Sequence, residues 1–379
     1  MRGGGFKWVW CGGVLLLPIL LLVTLGETVL RSLPAQPWFP VPWQLRLHER
    51  TRQHQVVADD DVGFLLQPHQ KQVVRNLDYH YVKETDAHGF PNREPWPQRA
   101  EIVILGDSLV TGEGVGIEAQ FSTLIDRQLA DQRVVNLGVP GAGPERQYRI
   151  YRRFGDALQP RWVVTCWYLV SDLDNDTHFH SWIEDAAGMD YDRFRLTYDR
   201  RLQPQSRWSP SRLLNRSLLV ALGREAAAAW FGEGASTRLR RTFPDGTQML
   251  FDQRKLPFVT TPVAAADGRI ERAFDALDRL RQAAQRQQAS VLVVLIPSKE
   301  ELFSGVAETP ADNAMARVRQ RLQAARLPVL DLYAALRQAG TSQAPFFSRD
   351  SHLNHLGNRI VAEQFMRWWQ DRALRAAGG

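Results

Sequence analysis

The fold of this chain is set by the stretch Glu101-Ile-Val-Ile-Leu-Gly-Asp-Ser-Leu109. It begins with a short, mainly apolar run that ends at Gly106, which is typical of a strand buried on both faces. The turn-forming residues Gly106 and Asp107 place Ser108 just beyond the carboxyl end of that strand. A strand of this kind belongs in a parallel sheet that helices cover on both sides.

Short apolar segments alternate with helical ones through most of the remaining chain. The apolar segments, which we predict to be strands, are 101–105, 133–136, 162–169, 290–296 and 329–332. The segments with helical character are 121–129, 145–158, 271–288, 311–325 and 356–373. This alternation predicts an α/β fold of three layers, with a doubly wound, mainly parallel five-stranded sheet. Sites in such folds lie beyond the carboxyl ends of the strands.

Composition divides the 379 residues into three parts. Residues 1–30 form a cytoplasmic tip and a hydrophobic segment, and residues 31–98 form a spacer and N-terminal elements that pack on the core. Residues 99–375 form the α/β domain, which an insertion at 177–268 interrupts. The insertion either shapes a substrate cleft or is a packing lobe, and its Asp245-Gly246 turn signal predicts a hairpin.

The N-terminal segment is suited to a membrane. Trp8–Leu25 is an uncharged run, broken only by Pro18, that is just long enough to cross a bilayer as a helix. Arg2 and Lys7 precede it, which favours a cytoplasmic N-terminus. We therefore expect a single-pass anchor in a bacterial-type cytoplasmic membrane and a periplasmic domain. A cleaved signal peptide, which would release a secreted protein, is the alternative.

Charge and cysteine content bear on nucleic-acid binding and on stabilisation by disulfides. The net charge is +6, but many of the arginines are scattered along predicted helices, as on solvated helix faces, so we expect no nucleic-acid partner. Cys11 lies in the hydrophobic segment and Cys166 in a predicted buried strand, so the two are not expected to pair. The exported domain is therefore expected to depend on its core rather than on disulfides.

Two polar motifs carry the candidate chemistry. Ser108 precedes Thr111-Gly-Glu-Gly114, a flexible turn where backbone N–H groups can point at an oxyanion that forms beside the serine. His352 stands in Asp350-Ser-His-Leu-Asn354, directly before the last helix. Histidine is suited to take the serine proton near neutral pH, and Asp350 can fix its tautomer. Asn354 is expected to cap the helix and hold the loop rigid.

These motifs together resemble the SGNH, or GDSL-type, hydrolase superfamily. The blocks that carry the resemblance are Gly106–Leu109 with its continuation to Val115, Asn136–Gly141, and Asp350 with His352. The segment 293–300 also resembles exported members related to polysaccharide O-acetyltransferases. The resemblance spans residues 61–370 apart from the insertion, and it implies an SGNH/flavodoxin-like fold.

The resemblance implies a serine enzyme with Ser108 as nucleophile, His352 as base and Asp350 as its partner. No cofactor and no metal are implied. The expected function is that of a membrane-tethered esterase or O-acyltransferase acting on an acyl ester. The extracytoplasmic location and the aromatic residues of the insertion favour an acetyl ester of a glycan as its substrate. A lipase or thioesterase on longer acyl chains and a catalytically impaired glycan-binding or assembly protein are the alternatives. Polysaccharide-assembly proteins are further candidate partners.

The oxyanion hole departs from the family pattern in one block. The resemblance implies that the backbone N–H groups of Ser108 and Gly138 contribute to it. Ser171 occupies the position where the family usually has an asparagine. Either the shorter hydroxyl of Ser171 or the side chain of Asn175 is therefore expected to complete the hole.

An alternating acidic and histidine pattern follows this block. If the segment were extended, its five side chains would face one way and suggest a metal site. The alternative is a polar loop at the rim of the cleft, which we favour because serine chemistry needs no metal. The residues concerned are Asp172, Asp174, Asp176, His178 and His180.

Overall fold

The computed structural model describes residues 18, 21–29, 55–75, 78–129, 133–185, 188–195, 219, 240–252, 255–264, 267–305 and 312–377. Contacts group the chain into two compact units. One consists of residues 54–202 and 238–379, and the other of residues 1–53 and 203–237. Residues 54–98 therefore share a unit with the α/β core, whereas residues 203–237 of the expected insertion do not.

The described strands are short. In chain order they are β1 (Val56–Asp59), β2 (Gly63–Leu66), β3 (Lys71–Arg75), β4 (His80–Glu84), β5 (Ile102–Leu105), β6 (Val134–Asn136), β7 (Trp162–Trp167), β8 (Arg240–Thr242), β9 (Gln248–Leu250), β10 (Ser290–Leu295) and β11 (Val329–Asp331).

The described helices range from one turn to more than five. The main ones, in chain order, are α1 (Ser108–Thr111), α2 (Phe121–Gln128), α3 (Pro144–Ile150), α4 (Leu169–Asp185), α5 (Leu256–Thr260), α6 (Gly268–Arg286), α7 (Lys299–Phe303), α8 (Ala314–Ala324), α9 (Tyr333–Ala339) and α10 (His355–Ala377). Residues 21–29 and 191–195 are also helical.

A five-stranded sheet with the order β11-β10-β7-β5-β6 forms the centre of the larger unit. Every neighbouring pair in it is parallel. The predicted doubly wound α/β fold is thus confirmed, and all five predicted strands are present. The chain passes from β5 to β6 on one side and then returns to β7 on the other. The carboxyl ends of β5 and β7 therefore border the switch point at which such sheets hold their sites.

Alternating residues of each strand divide the core into two layers. Val103 and Leu105 of β5 pack with α3, α4, α6 and α8 on one face of the sheet. Ile102 and Ile104 pack with α2, α9 and α10 on the other. All four side chains are fully buried, because each face of a central strand in such a sheet is covered by helices.

The described part of the expected insertion includes the end of helix α4, the hairpin β8–β9 and helix α5. Helix α4 continues to Asp185, well past the expected boundary at residue 177. Strands β8 and β9 pair antiparallel around Gly246, whose φ of +82° suits glycine, so the predicted hairpin is confirmed. Leu250 N donates to Ser348 O at 2.7 Å. The hairpin therefore supports the loop that leads to His352.

The N-terminal segment is only partly described. Residues 21–29 are helical, and Leu21, Leu22 and Leu25 expose more than half of their surface. The rest of the predicted anchor Trp8–Leu25, apart from Pro18, lies outside the described residues. Among the described residues, no helix combines the length and apolar character that a membrane crossing requires.

Residues 55–84 form two antiparallel hairpins, β1–β2 and β3–β4. The sequence does not predict these strands, because they are four or five residues long and carry no sustained period. A buried arginine joins β1–β2 to the core: Arg146 of α3 donates to Val62 O at 2.9 Å and to Phe64 O at 3.1 Å. The same guanidinium donates to Gly141 O at 3.0 Å. It therefore links the hairpin, helix α3 and the loop after β6.

We expect Arg146→Met to destabilise the larger unit by about 3 kcal/mol or more, because buried carbonyl oxygens would lose their donors. Urea unfolding followed by circular dichroism measures the change. Arg152→Met is the matched control, since the Arg152 side chain is 46% exposed. A change in the free energy of unfolding that is no larger for Arg146→Met than for Arg152→Met would contradict the role given to the buried guanidinium.

Candidate active site

Ser108 opens helix α1 directly after strand β5. The carboxylate of Asp107 accepts the N–H of Leu109 at 2.9 Å and so caps this short helix. The helix ends at Gly112, which has a φ of +76° and leaves no room for a Cβ beside Gln120. The cap and the glycine together force a sharp turn. The turn leaves the Ser108 hydroxyl at the carboxyl edge of the sheet.

A chain of hydrogen bonds runs from Ser108 to Asp350. His352 Nε2 lies 2.7 Å from Ser108 Oγ, and His352 Nδ1 contacts Asp350 Oδ1. Because the carboxylate can only accept, Nδ1 carries the proton and Nε2 is left to accept the serine O–H. Asp350 Oδ1 also accepts the backbone N–H of His352 at 2.9 Å, and Tyr79 Oη donates to Oδ2 at 3.2 Å.

The electrostatics of the pair keep the imidazole basic. Burial lowers the pKa of His352, but the negative charge of Asp350 and the hydrogen bond to it raise that pKa to a net value above the ordinary 6.5. Burial raises the pKa of Asp350, and the His352 charge and hydrogen bonds more than reverse this, so the pKa of Asp350 falls well below its ordinary value. Asp350 is therefore ionised throughout the neutral range.

The loop that carries His352 is fixed by the start of helix α10. Asn354 Oδ1 accepts the N–H of Gly357 at 3.0 Å, so the predicted helix cap is confirmed. The amide group of Asn354 also donates to Ala344 O at 2.6 Å and to Phe346 O at 3.2 Å. One side chain thus caps the helix and holds the preceding loop.

The backbone N–H of Gly138 is already hydrogen-bonded within its own loop. Gly138 N donates to Asn136 Oδ1 at 2.8 Å, and the Asn136 amide group donates to Val110 O at 2.7 Å. The oxyanion role expected for Gly138 does not fit this arrangement, because its N–H already has an acceptor. The N–H groups of Ser108 and Gly141, by contrast, have no acceptor among the described residues.

Ser171 and Asn175 lie on successive turns of helix α4, which starts at the carboxyl end of β7. Ser171 Oγ is 3.5 Å from Asp107 Oδ2 and 3.3 Å from Tyr168 O, so the hydroxyl lies beside the residue that precedes the nucleophile candidate. Asn175 is buried, and its carboxamide makes no hydrogen bond to the described residues. Their i, i+4 spacing puts both on the same helix face.

The alternating acidic segment is helical, so both the extended segment with all five side chains on one face and the favoured polar loop are wrong. A helix turns successive side chains by about 100° and therefore spreads them around its axis. Asp172 and Asp176 are buried, whereas Asp174 meets Arg269 at 3.5 Å on the surface. Among the described residues, no group of three or more acidic, histidine or cysteine side chains is arranged to hold a metal ion.

Buried carboxyl groups surround the base of the site. Burial raises the pKa of Asp107 and, together with the charge of Asp107, raises that of Asp172 well above its ordinary value. Burial also raises the pKa of Asp176 to about 6. Asp172 Oδ2 accepts Tyr168 N at 2.7 Å, and Asp176 Oδ1 accepts Glu145 N at 2.8 Å. These carboxyl groups thus hold backbone near the carboxyl end of β7.

The sequence gives no signal for a second set of supporting residues, which comes from hairpin β3–β4. Lys83 and Glu113 form a buried ion pair with an Nζ–Oε2 distance of 2.5 Å. Glu113 belongs to the turn after α1, so this pair attaches the hairpin to the segment that carries Ser108. Tyr79, at the other end of the same hairpin, reaches Asp350. The partners are distant in sequence, and only the tertiary fold brings them together.

Residues 250–378 match the family model described as SGNH hydrolase-like domain, acetyltransferase AlgX. No curated protein is significantly similar to the chain.

The chain also shows weak similarity to several solved structures. One is a lipolytic G-D-S-L protein from Veillonella parvula DSM 2008, with 11% identity, a TM-score of 0.38, and coverage of 71% of this chain and 97% of that one. Another is the acetyl xylan esterase AlAXEase, with 17% identity, a TM-score of 0.34, and coverage of 70% and 98%. A third is a catalytic mutant of the acetylxylan esterase Axe2 from Geobacillus stearothermophilus, with 11% identity, a TM-score of 0.36, and coverage of 72% and 95%. These low values support no conclusion about substrate.

The family match covers the C-terminal part of the domain, which contributes β10, β11 and the loop with Asp350 and His352. The Gly-Asp-Ser turn lies outside the matched residues. The match covers about a third of the chain, and its C-terminal part is therefore similar to the SGNH hydrolase-like domain of this acetyltransferase family.

Proposed function

We propose that this protein is an extracytoplasmic serine esterase or O-acetyltransferase that is tethered to a membrane and acts on an acetyl ester of a glycan. The observation that carries the proposal is the hydrogen-bonded chain from Ser108 through His352 to Asp350. The acetyltransferase description of the matched family favours an acetyl group. The uncharged segment Trp8–Leu25 supplies the tether.

The reaction starts with proton transfer from Ser108 to His352. The serine oxygen bonds to the ester carbonyl carbon while Nε2 takes its proton, and the carbonyl oxygen becomes an oxyanion. Its donors in this proposal are the N–H groups of Ser108 and Gly141 and either the Ser171 hydroxyl or the Asn175 carboxamide. The imidazolium then protonates the departing alcohol as the carbon–oxygen bond of the ester breaks.

The second half of the reaction releases the acetyl group. Water or a sugar hydroxyl gives its proton to His352 and attacks the acetyl carbonyl, and the proton returns to Ser108 as the acyl–serine bond breaks. Asp350 stays ionised and stabilises the imidazolium in both halves. An esterase and a transferase differ here only in which acceptor reaches the acyl-enzyme.

We expect Ser108→Ala to abolish labelling by a fluorophosphonate probe and to lower p-nitrophenyl acetate hydrolysis by about 10⁴-fold or more, because the nucleophile is lost. His352→Ala should slow both reactions by a similar factor. Ser342→Ala, which alters an exposed serine, is the matched control. A wild type that neither labels nor turns over would favour the glycan-binding or assembly role. Faster hydrolysis of long-chain than of acetyl esters would favour a lipase or thioesterase.

The pH profile provides an independent test of the His352–Asp350 pair. The neutral imidazole is the active base, and its pKa is raised above 6.5. We therefore expect kcat/KM to rise with pH through a pKa above 6.5 and to fall off below it. Asp350→Asn should move this pKa downward and reduce kcat by roughly 10³–10⁴-fold, since the tautomer is no longer fixed. An unchanged acidic limb in Asp350→Asn would show that another group governs it.

A further inference from the structure

The loop that presents Asp350 is contacted by a buried lysine. Lys299, the first residue of helix α7, is fully buried. Its Nζ donates to Asp350 O at 2.8 Å, to Ser348 O at 3.2 Å and to Phe347 O at 3.3 Å. One ammonium group thus uses all three of its hydrogens on carbonyl oxygens of a single loop.

The same loop is held through its N–H groups by a carboxylate from hairpin β3–β4. Asp78 Oδ2 accepts the N–H of Asp350 at 2.6 Å and that of Arg349 at 2.8 Å. Lys299 therefore binds the carbonyl oxygens of this loop, and Asp78 binds its N–H groups. The neighbouring Tyr79 donates to the Asp350 side chain itself.

Burying the Lys299 ammonium group costs free energy, so its presence calls for a role other than stability. Removing an ammonium from water costs several kcal/mol, and an apolar residue of similar size often serves stability as well or better. At Lys299 the charge is instead directed at the backbone of three residues, one of which is the partner of the candidate base. Burial lowers the pKa of Lys299 to about 8, with the nearby carboxylates, including those of Asp350 and Asp78, opposing the shift.

We propose that Lys299 and Asp78 are positioning residues, which together clamp residues 347–350 so that the Asp350 carboxylate stays on His352 Nδ1. The inference rests on the proposed function, because it assigns these residues a role in the same triad. Neither residue touches the reacting atoms. Each acts through the placement of Asp350, and a displacement of about 1 Å in such a group lowers rates by roughly 10²-fold.

The test follows the His352 imidazole by nuclear magnetic resonance during a pH titration, in the full chain and without substrate. In Lys299→Met the clamp predicts a looser Asp350 contact, so the pKa of His352 falls toward 6.5 and its hydrogen-bonded Nδ1–H resonance weakens. A lysine that acted only through its charge would give the opposite sign, because loss of a cation favours the imidazolium. A His352 pKa that rises or stays unchanged in Lys299→Met would overturn the proposal.

Lys71→Met is the matched control, because Lys71 lies on β3 with its side chain 74% exposed. It should leave the His352 titration as in the wild type. If Lys299→Met fails to fold, Asp78→Asn tests the clamp in its place, because Asp78 is only partly buried. The clamp then predicts hydrogen exchange at the amides of Arg349 and Asp350 at least tenfold faster than in the wild type. Exchange at the wild-type rate would contradict it.

Kinetics separate this inference from the proposed function. Both Lys299→Met and Asp78→Asn should lower fluorophosphonate labelling by roughly 10²-fold, the effect expected of a misplaced catalytic partner. If the variants move the His352 titration while the wild type shows no turnover, the clamp stands and the proposed function fails. If the wild type is active and both variants label at its rate, the clamp fails and the proposed function stands.

Discussion

The candidate site depends on the hydrogen bond between Ser108 Oγ and His352 Nε2. It spans 2.7 Å between residues that are 244 positions apart in the chain. For the two atoms to meet, the carboxyl end of β5 and the amino end of α10 must lie at the same edge of the sheet. The parallel order of the strands meets that requirement, because β5 and β11, the last strand before α10, both end at the same edge of the sheet. The sheet is thus the frame that sets the distance.

The supporting residues come from every part of the larger unit. Asp107 and Asn354 fix the two catalytic segments locally by capping the helices that follow them. Hairpin β3–β4 adds longer-range support through the Lys83–Glu113 pair on the Ser108 side and through Asp78 on the Asp350 side. The buried charged groups of Lys83, Glu113 and Lys299 hold one another or backbone carbonyl oxygens, because an isolated buried charge would cost several kcal/mol.

The sequence predicts the core because its local signals and its tertiary structure agree there. The apolar run before Ser108 and the capping residue Asn354 each have a local physical reason and appear as expected. The sequence does not predict the features that long-range packing determines. Alternation from Asp172 onward suggests an extended segment, but burial of Phe179 and Trp182 against the core favours helix α4. The contacts of Lys299 and Asp78 likewise depend on partners that are distant in the sequence.

We propose that Ser108 carries the acyl group between donor and acceptor. To test this directly, the full chain is incubated with p-nitrophenyl acetate and quenched in acid, and any bound acetyl group is located by peptide mass spectrometry. We expect the acetyl group on Ser108, and we expect it to be lost from the peptide in Ser108→Ala. Turnover without any acetylation of Ser108, or with the acetyl group on a different residue, would contradict it.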